Sequence, residues 1–211
     1  MRIGALVLAA GRSSRMGQPK VLLPWRGRPL LEHVLAVLAE AGAEPVLVVT
    51  GPDTPPLPAL GGAELVHHPG AREGMGSSLA AGVRALGGRA DAVLICLGDQ
   101  PGIAAGTVAA LVAALAPPAL AAAPLYRGGV RGHPVLFAAA LFAELGALQG
   151  DRGARAVLEG HPAALVAIPA PAPADVDTPG DYAALAGSGG APCRSPRSSS
   201  SPSRPAGSSS S

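Results

Sequence analysis

The chain has 211 residues, 48% of them hydrophobic but only 2% aromatic, and a formal net charge of +2. This is enough apolar material for one substantial core, which must be built from Ala, Val and Leu. The near-neutral charge and scarcity of aromatic rings argue against a protein that binds nucleic acid or a membrane surface.

Short apolar runs at 3–9, 45–50, 63–67, 91–97, 119–124 and 164–168 alternate with helical patterns at about 29–42, 75–87, 104–116, 138–146 and 152–160. This alternation predicts βαβ units and a three-layer, Rossmann-like α/β/α sandwich around a mainly parallel sheet. Gly42 and Gly87-Gly88 supply helix stops. His133-Pro134-Val135-Leu136-Phe137 is expected to add an antiparallel strand at a sheet edge, because Pro134 lacks a ladder donor. The domain is expected to span 1–187. Residues 188–211, rich in Ser and Pro with Arg194, Arg197 and Arg204 and no acid, are expected to be a disordered, solubilising tail. Cys96 lies inside an apolar run and Cys193 in the tail, so the cysteines suggest no disulfide framework. The N-terminal run breaks at Gly11-Arg12 without a cleavage-type segment, and no run reaches membrane-spanning length. A reducing, cytoplasmic setting is expected.

The first strand empties into Leu8-Ala9-Ala10-Gly11-Arg12-Ser13-Ser14-Arg15-Met16-Gly17-Gln18-Pro19-Lys20. Gly11 and Gly17 permit close backbone approach to an anion, and Arg12, Arg15 and Lys20 supply charge, a combination suited to a nucleoside triphosphate. The alternative is an ordinary basic strand-to-helix loop. Gly98-Asp99-Gln100-Pro101 follows the apolar run 91–97. There Asp99 would stand at a strand's carboxyl end, where open α/β sheets place ligands and a carboxylate can hold Mg²⁺; alternatively it caps a turn. Asp175 and Asp177 alternate, so both face one side of an extended segment and can complete a metal site begun by Asp99. Asp177 or Thr178 is equally suited to cap the last helix.

Around Gly74-Met75-Gly76-Ser77-Ser78, the glycine and serines at a helix start can donate to a base or ribose, while a Ser-Ser helix cap is the simpler role. His67-His68 lacks further His or Cys at ligand spacing and makes a poor metal site. In Arg131-Gly132-His133-Pro134, Arg131 and His133 can reach a second substrate or a phosphate, or His133 is a structural histidine.

Taken in order, Ala9-Ala10-Gly11-x-Ser13-Ser14-Arg15-Met16-Gly17-x-x-Lys20, Leu22-Leu23-Pro24-Trp25, Gly74-Met75-Gly76-Ser77-Ser78-Leu79, Gly98-Asp99-Gln100-Pro101, Arg131-Gly132-His133-Pro134 and Asp175-Val176-Asp177-Thr178-Pro179 resemble the molybdenum cofactor cytidylyltransferases, relatives of molybdopterin guanylyltransferase. The resemblance covers nearly the whole chain before the tail. It implies a nucleotidyltransferase-type fold and transfer of CMP from CTP to a phosphorylated pterin-type acceptor, with Mg²⁺ as cofactor and pyrophosphate released. It further implies catalytic roles for Arg15, Lys20 and Asp99, and metal ligation by Asp99 and Asp177. The nucleotide would be held by Leu8, Ala9, Ala10, Gly11, Ser13, Arg15, Gly17, Lys20, Gly76, Ser77, Ser78 and Gly98, and the acceptor by Arg131 and His133. Delivery to a molybdoenzyme or its chaperone is a further implication. Ala-Ala-Gly at 9–11 favours CTP in this family, where guanylyltransferases carry Ala-Gly-Gly.

One departure is Gly180 in place of the acid that commonly follows Thr-Pro, which is expected to weaken the start of the last helix. A guanylyltransferase or a sugar-phosphate nucleotidyltransferase would use the same scaffold. A non-catalytic nucleotide binder would not need all of Asp99, Asp175 and Asp177. A dinucleotide-dependent oxidoreductase would want Gly-x-Gly-x-x-Gly, which the first loop lacks.

Overall fold

The computed structural model describes residues 1–11, 16–58 and 60–187. The tail therefore lies outside the described residues, as do Arg12, Ser13, Ser14 and Arg15. The strands are β1 (Ile3–Leu8), β2 (Pro24–Trp25), β3 (Arg28–Pro29), β4 (Val46–Thr50), β5 (Glu64–His67), β6 (Ala92–Leu97), β7 (Ala121–Tyr126), β8 (Val130–Arg131), β9 (Val135–Ala138) and β10 (Leu165–Pro169). The α-helices are α1 (Leu30–Glu40), α2 (Met75–Leu86), α3 (Ala105–Ala114), α4 (Phe142–Gly146), α5 (Ala154–Gly160) and α6 (Pro179–Gly187).

The central sheet runs β10-β7-β9-β6-β1-β4-β5, with β8 paired to β7 and β2-β3 forming a separate ribbon. Strands β4, β6, β1 and β5 are mutually parallel, as are β7 and β10. Because side chains alternate across a strand, β1 sends Leu6 and Leu8 to one face and Ala5 and Val7 to the other. The first face is covered by Leu79, Val83 and Leu86 of α2, Leu145 of α4 and Val157 of α5. The second is covered by Leu31, Val34 and Leu38 of α1 and Val108 and Leu111 of α3. The result is the expected three-layer α/β/α arrangement. Among the described residues, no helix is long and apolar enough to cross a membrane.

Strand β9 is antiparallel to both neighbours, as expected, but it is not at an edge. It lies between β6 and β7, with Ile95 opposite Val135 and Ala121 opposite Phe137. Pro134 stands just before the strand, so its missing donor costs the ladder nothing, and Val135, Leu136 and Phe137 are buried in the sheet's interior. The edges are β5 and β10.

The start of α6 also differs from expectation. Thr178 is followed by Pro179 at the first helical position. Asp181 accepts hydrogen bonds from Thr178 N (2.7 Å) and Thr178 Oγ1 (2.8 Å), while its own N–H donates to Thr178 Oγ1 (3.2 Å). This is a capping box with Asp in the third helical position. Asp181 thus replaces the acid missing at Gly180, and its carboxyl is held below the usual carboxylate range by the Thr178 hydrogen bonds. Thr178→Ala is expected to lower stability by about 1 kcal/mol, read as a fall of roughly 2–4 °C in Tm.

Candidate active site

Strands β1 and β6 are parallel neighbours in register, Leu8 opposite Leu97, so the loops that follow them leave the sheet side by side. Gly98 N donates to Leu8 O at 3.0 Å. A Cβ on Gly98 would meet Val21 Cγ1 at 3.1 Å and Leu8 O at 3.3 Å, so only glycine fits comfortably between the loop and the turn beneath it. Asp99 is thereby held at the carboxyl end of β6.

Lys20 opens a short 3-10 turn (Lys20–Leu22) and its side chain is only 12% exposed. Its Nζ lies 2.5 Å from Asp177 Oδ1 and 3.5 Å from Asp99 Oδ2. Asp177 reaches this corner because Val176, next to it, is fully buried with Leu23, Leu30 and Leu185. Asp99, Asp175 and Asp177 each place one oxygen within 4.8 Å of the others. Burial, opposed by Lys20 and reinforced by Asp175, raises the Asp99 carboxyl above the ordinary range. Burial and then Asp177 raise Asp175, against a hydrogen bond from Gln100.

Three carboxylates crowded together, two with raised pKa values, suit a hard divalent cation such as Mg²⁺ or Mn²⁺. Their oxygens are the ligand type such ions take, and the ion's charge would relieve the repulsion. Asp175 and Asp177 are thus brought to Asp99 as their alternation suggested, and the three could hold such an ion.

The carboxylates open onto a cleft of about 570 Å³, a size suited to a small-molecule ligand. Of the sequence-predicted nucleotide residues, Leu8, Ala9, Ala10, Gly11, Lys20 and Ser78 line it. Gly17, Gly76, Ser77 and Gly98 do not. Gly17 is exposed with φ +67°, and Gly98 supports the floor from below. The Gly76 N–H is taken by Gly150 O at 2.8 Å, and a Cβ there would fall 2.2 Å from Arg152 O. Gly76 is thus the seat of the 150–152 turn.

The expected Ser-Ser cap is absent. Gly74 occupies the N-cap position, and the Ser77 hydroxyl donates back to Gly74 O (2.9 Å) or Gly70 O (3.1 Å) while pairing with His68 Nε2 at 3.2 Å. His68 is accordingly structural. Ser13 and Arg15, both predicted site residues, lie outside the described residues.

Arg131 and His133 do not line the cleft. Arg131 is exposed on β8, and the His133 carbonyl accepts a hydrogen bond from the Tyr126 hydroxyl. Burial lowers the His133 imidazole to about 4, so it is neutral near pH 7 and is no cation for a phosphate. Antiparallel β9 nevertheless begins at the carboxyl end of β6, which puts His133 along the same sheet edge as Asp99.

Sequence reasoning missed Arg72 and Asp151, both of which line the cleft. Arg72 is fixed by a bidentate pair with Asp53 (3.0 and 2.7 Å). Asp151 lies in the turn seated on α2, against Gly74. The signals were a charge next to each glycine pair, Gly70/Gly74 and Gly150/Gly153.

A cleft at the carboxyl edge of a parallel sheet, carrying a small-residue loop, a mostly buried lysine and convergent carboxylates, defines a nucleotide-handling α/β protein. Residues 5–165 match the model for the MobA-like NTP transferase domain, and the chain belongs to that family. It is 34% identical to the purine catabolism protein PucB of Bacillus subtilis over 192 residues, covering 83% of this chain and 91% of that one. It is likewise 34% identical to nicotine blue oxidoreductase of Paenarthrobacter nicotinovorans over 171 residues, 76% and 83% of the two chains. A shorter stretch of 43 residues, 20% of this chain and 23% of its relative, is 67% identical to molybdenum cofactor guanylyltransferase of Xanthomonas euvesicatoria. Among solved structures, Rv0371c of Mycobacterium tuberculosis superposes with a TM-score of 0.76 at 30% identity, covering 89% of this chain and 98% of that one. Rv0371C has also been solved in complex with manganese, at a TM-score of 0.73 and 29% identity, covering 89% of this chain and all of that one.

Proposed function

We propose that the protein transfers a nucleoside monophosphate, CMP from CTP, to a phosphorylated small molecule of the pterin type, releasing pyrophosphate. The observation that carries this reading is Lys20 set between Asp177 and Asp99, with Asp175 completing the carboxylate cluster at the cleft. The family supports transfer of a nucleotide, and the relative named molybdenum cofactor guanylyltransferase supports a pterin-type acceptor.

In the reaction, an oxygen of the acceptor's terminal phosphate forms a bond to the α-phosphorus and the bond to the pyrophosphate oxygen breaks, the pair of electrons leaving with pyrophosphate. Such transfers are catalysed mainly by positioning and by charge. The backbone of Leu8, Ala9, Ala10 and Gly11 would cradle the nucleotide, with Ser78 also in the cleft lining. Lys20 and Arg15 would offset charge on the transferring and leaving phosphates. Mg²⁺, when bound by Asp99 and Asp177 with Asp175, supplies further charge neutralisation at the phosphoanhydride. Arg131 of β8 and His133, just before β9, would meet the part of the acceptor that extends beyond the cleft, His133 through hydrogen bonds of its neutral ring.

CTP is favoured because Ala9-Ala10-Gly11, which lines the cleft, resembles the motif of the cytidylyltransferases and not the Ala-Gly-Gly of the guanylyltransferases. GTP, and a sugar phosphate as acceptor, are the alternatives within this class. The relative named nicotine blue oxidoreductase raises a second reading, hydride transfer. Three crowded carboxylates serve a polyphosphate with its cation better than a hydride donor, so transfer of a nucleotide is preferred.

Purified protein supplied with Mg²⁺, each of the four triphosphates and a panel of phosphorylated acceptors is expected to release pyrophosphate fastest with CTP, and not at all after chelation of the metal. Absence of pyrophosphate in every mixture, together with acceptor-dependent oxidation of a reduced nicotinamide, would install the second reading instead.

A further inference from the structure

We infer that Gln100 is a positioning residue that holds Asp175 in the carboxylate corner; this rests on the reading of Asp99, Asp175 and Asp177 as the site of a divalent cation. The three carboxylates are not fixed alike. Asp99 stands at the end of β6, and Asp177 is held by Lys20 Nζ (2.5 Å) and by its own N–H, which donates to Asp181 (3.2 Å). Asp175 lies in the stretch 170–177, which is neither strand nor helix. Among the described residues, none of 171–176 makes a backbone–backbone hydrogen bond. What reaches the Asp175 carboxylate is the Gln100 side chain, whose amide nitrogen donates to it.

The turn after β6 presents that amide. Gln100 N donates to Leu97 O (3.3 Å), which folds the turn back on the end of the strand. Gly102, with φ +85°, then brings the chain against the acidic segment, where a Cβ would lie 3.9 Å from Ala174 N. Ile103 anchors the turn by its burial in the sheet's second face.

The other end of the same amide has no use in the fold. Gln100 Oε1 is sealed from solvent and has no hydrogen-bond partner among the described residues. An unsatisfied buried acceptor is unfavourable, and methionine would fill much the same space without one. Stability alone therefore disfavours glutamine at 100, and the donor held against Asp175 is what the position gains. A partner that orients a ligand in this way raises affinity for the ion by placing the oxygen before the ion arrives.

The test is Mn²⁺ binding by titration calorimetry, without nucleotide, to the full chain and to Gln100→Met, Asp175→Asn and the double variant. Gln100→Met is expected to weaken Mn²⁺ binding about 10–100-fold, while Tm without metal stays unchanged or rises. Because Gln100 acts through Asp175, the same substitution in the Asp175→Asn background should change affinity by less than about twofold. A merely structural glutamine would give the reverse, a lower Tm and equal losses in both backgrounds. Either of those results, or Mn²⁺ affinity in Gln100→Met within about twofold of the parent, would overturn the inference, as would a parent that binds no Mn²⁺. No nucleotide takes part, so the outcome is separate from that of the proposed reaction: a parent that binds Mn²⁺ but releases no pyrophosphate loses the reaction and keeps the cation site.

Discussion

Asp99→Asn is expected to reduce pyrophosphate release about 10³-fold, the scale of removing one preorganised electrostatic group, while leaving Tm unchanged or higher. Asparagine preserves the shape of the turn after β6 but removes a charge that stands within 3.5 Å of Lys20 and beside Asp175. Activity and stability should move apart because this carboxylate sits in an unfavourable place. The folded protein raises the pKa values of Asp99 and Asp175, so it holds those protons more tightly than the unfolded chain does. Stability then falls as pH rises from the ordinary carboxylate range through the raised values, and above them the whole penalty is in force. Without divalent cation, the Tm difference between variant and parent should therefore widen in the variant's favour as pH rises over that range. Parental turnover in the variant, or a clear loss of Tm at neutral pH, would contradict the assignment.

Phe137→Ala is expected to lower stability by about 3–5 kcal/mol, on the order of 10 °C in Tm for a chain of this length. Phe137 is fully buried in β9, opposite Val93 on one side and Ala121 on the other. The chain has only two phenylalanines, and much of this core is Ala, Val and Leu, whose short side chains cannot collapse into the vacated volume. Because β9 joins the β7-β10 pair to the β6-β1-β4-β5 set, the cavity would open at the seam of the sheet. Denaturant melts of parent and variant measure the cost, and a loss below about 1 kcal/mol would deny Phe137 that role.

The alternation of strands and helices was legible in the sequence because each element is short, strongly apolar or strongly periodic, and bounded by Gly or Pro. The place of β9 was not. Strand order depends on which apolar runs find one another across the chain, and Pro134 looked disqualifying until the ladder began one residue later. In the site, Asp99 carried the signal of a carboxylate at a strand's end, Lys20 that of a charge in a small-residue loop, and Asp177 that of its alternation with Asp175. The use of Gly76 did not, because its partners, Gly150 and Arg152, are more than seventy residues away and the contact is made by backbone atoms. Asp181 illustrates the same point in miniature: the capping acid had moved one position, and the spacing to Thr178 mattered more than the expected slot.

The Lys20–Asp177 contact joins positions 157 residues apart. During synthesis the nascent chain can complete β1, β4 and β6, with Lys20 and Asp99 in place, well before Asp175 and Asp177 leave the ribosome. The corner that joins Lys20 to Asp177 can therefore form only in a chain translated past residue 177.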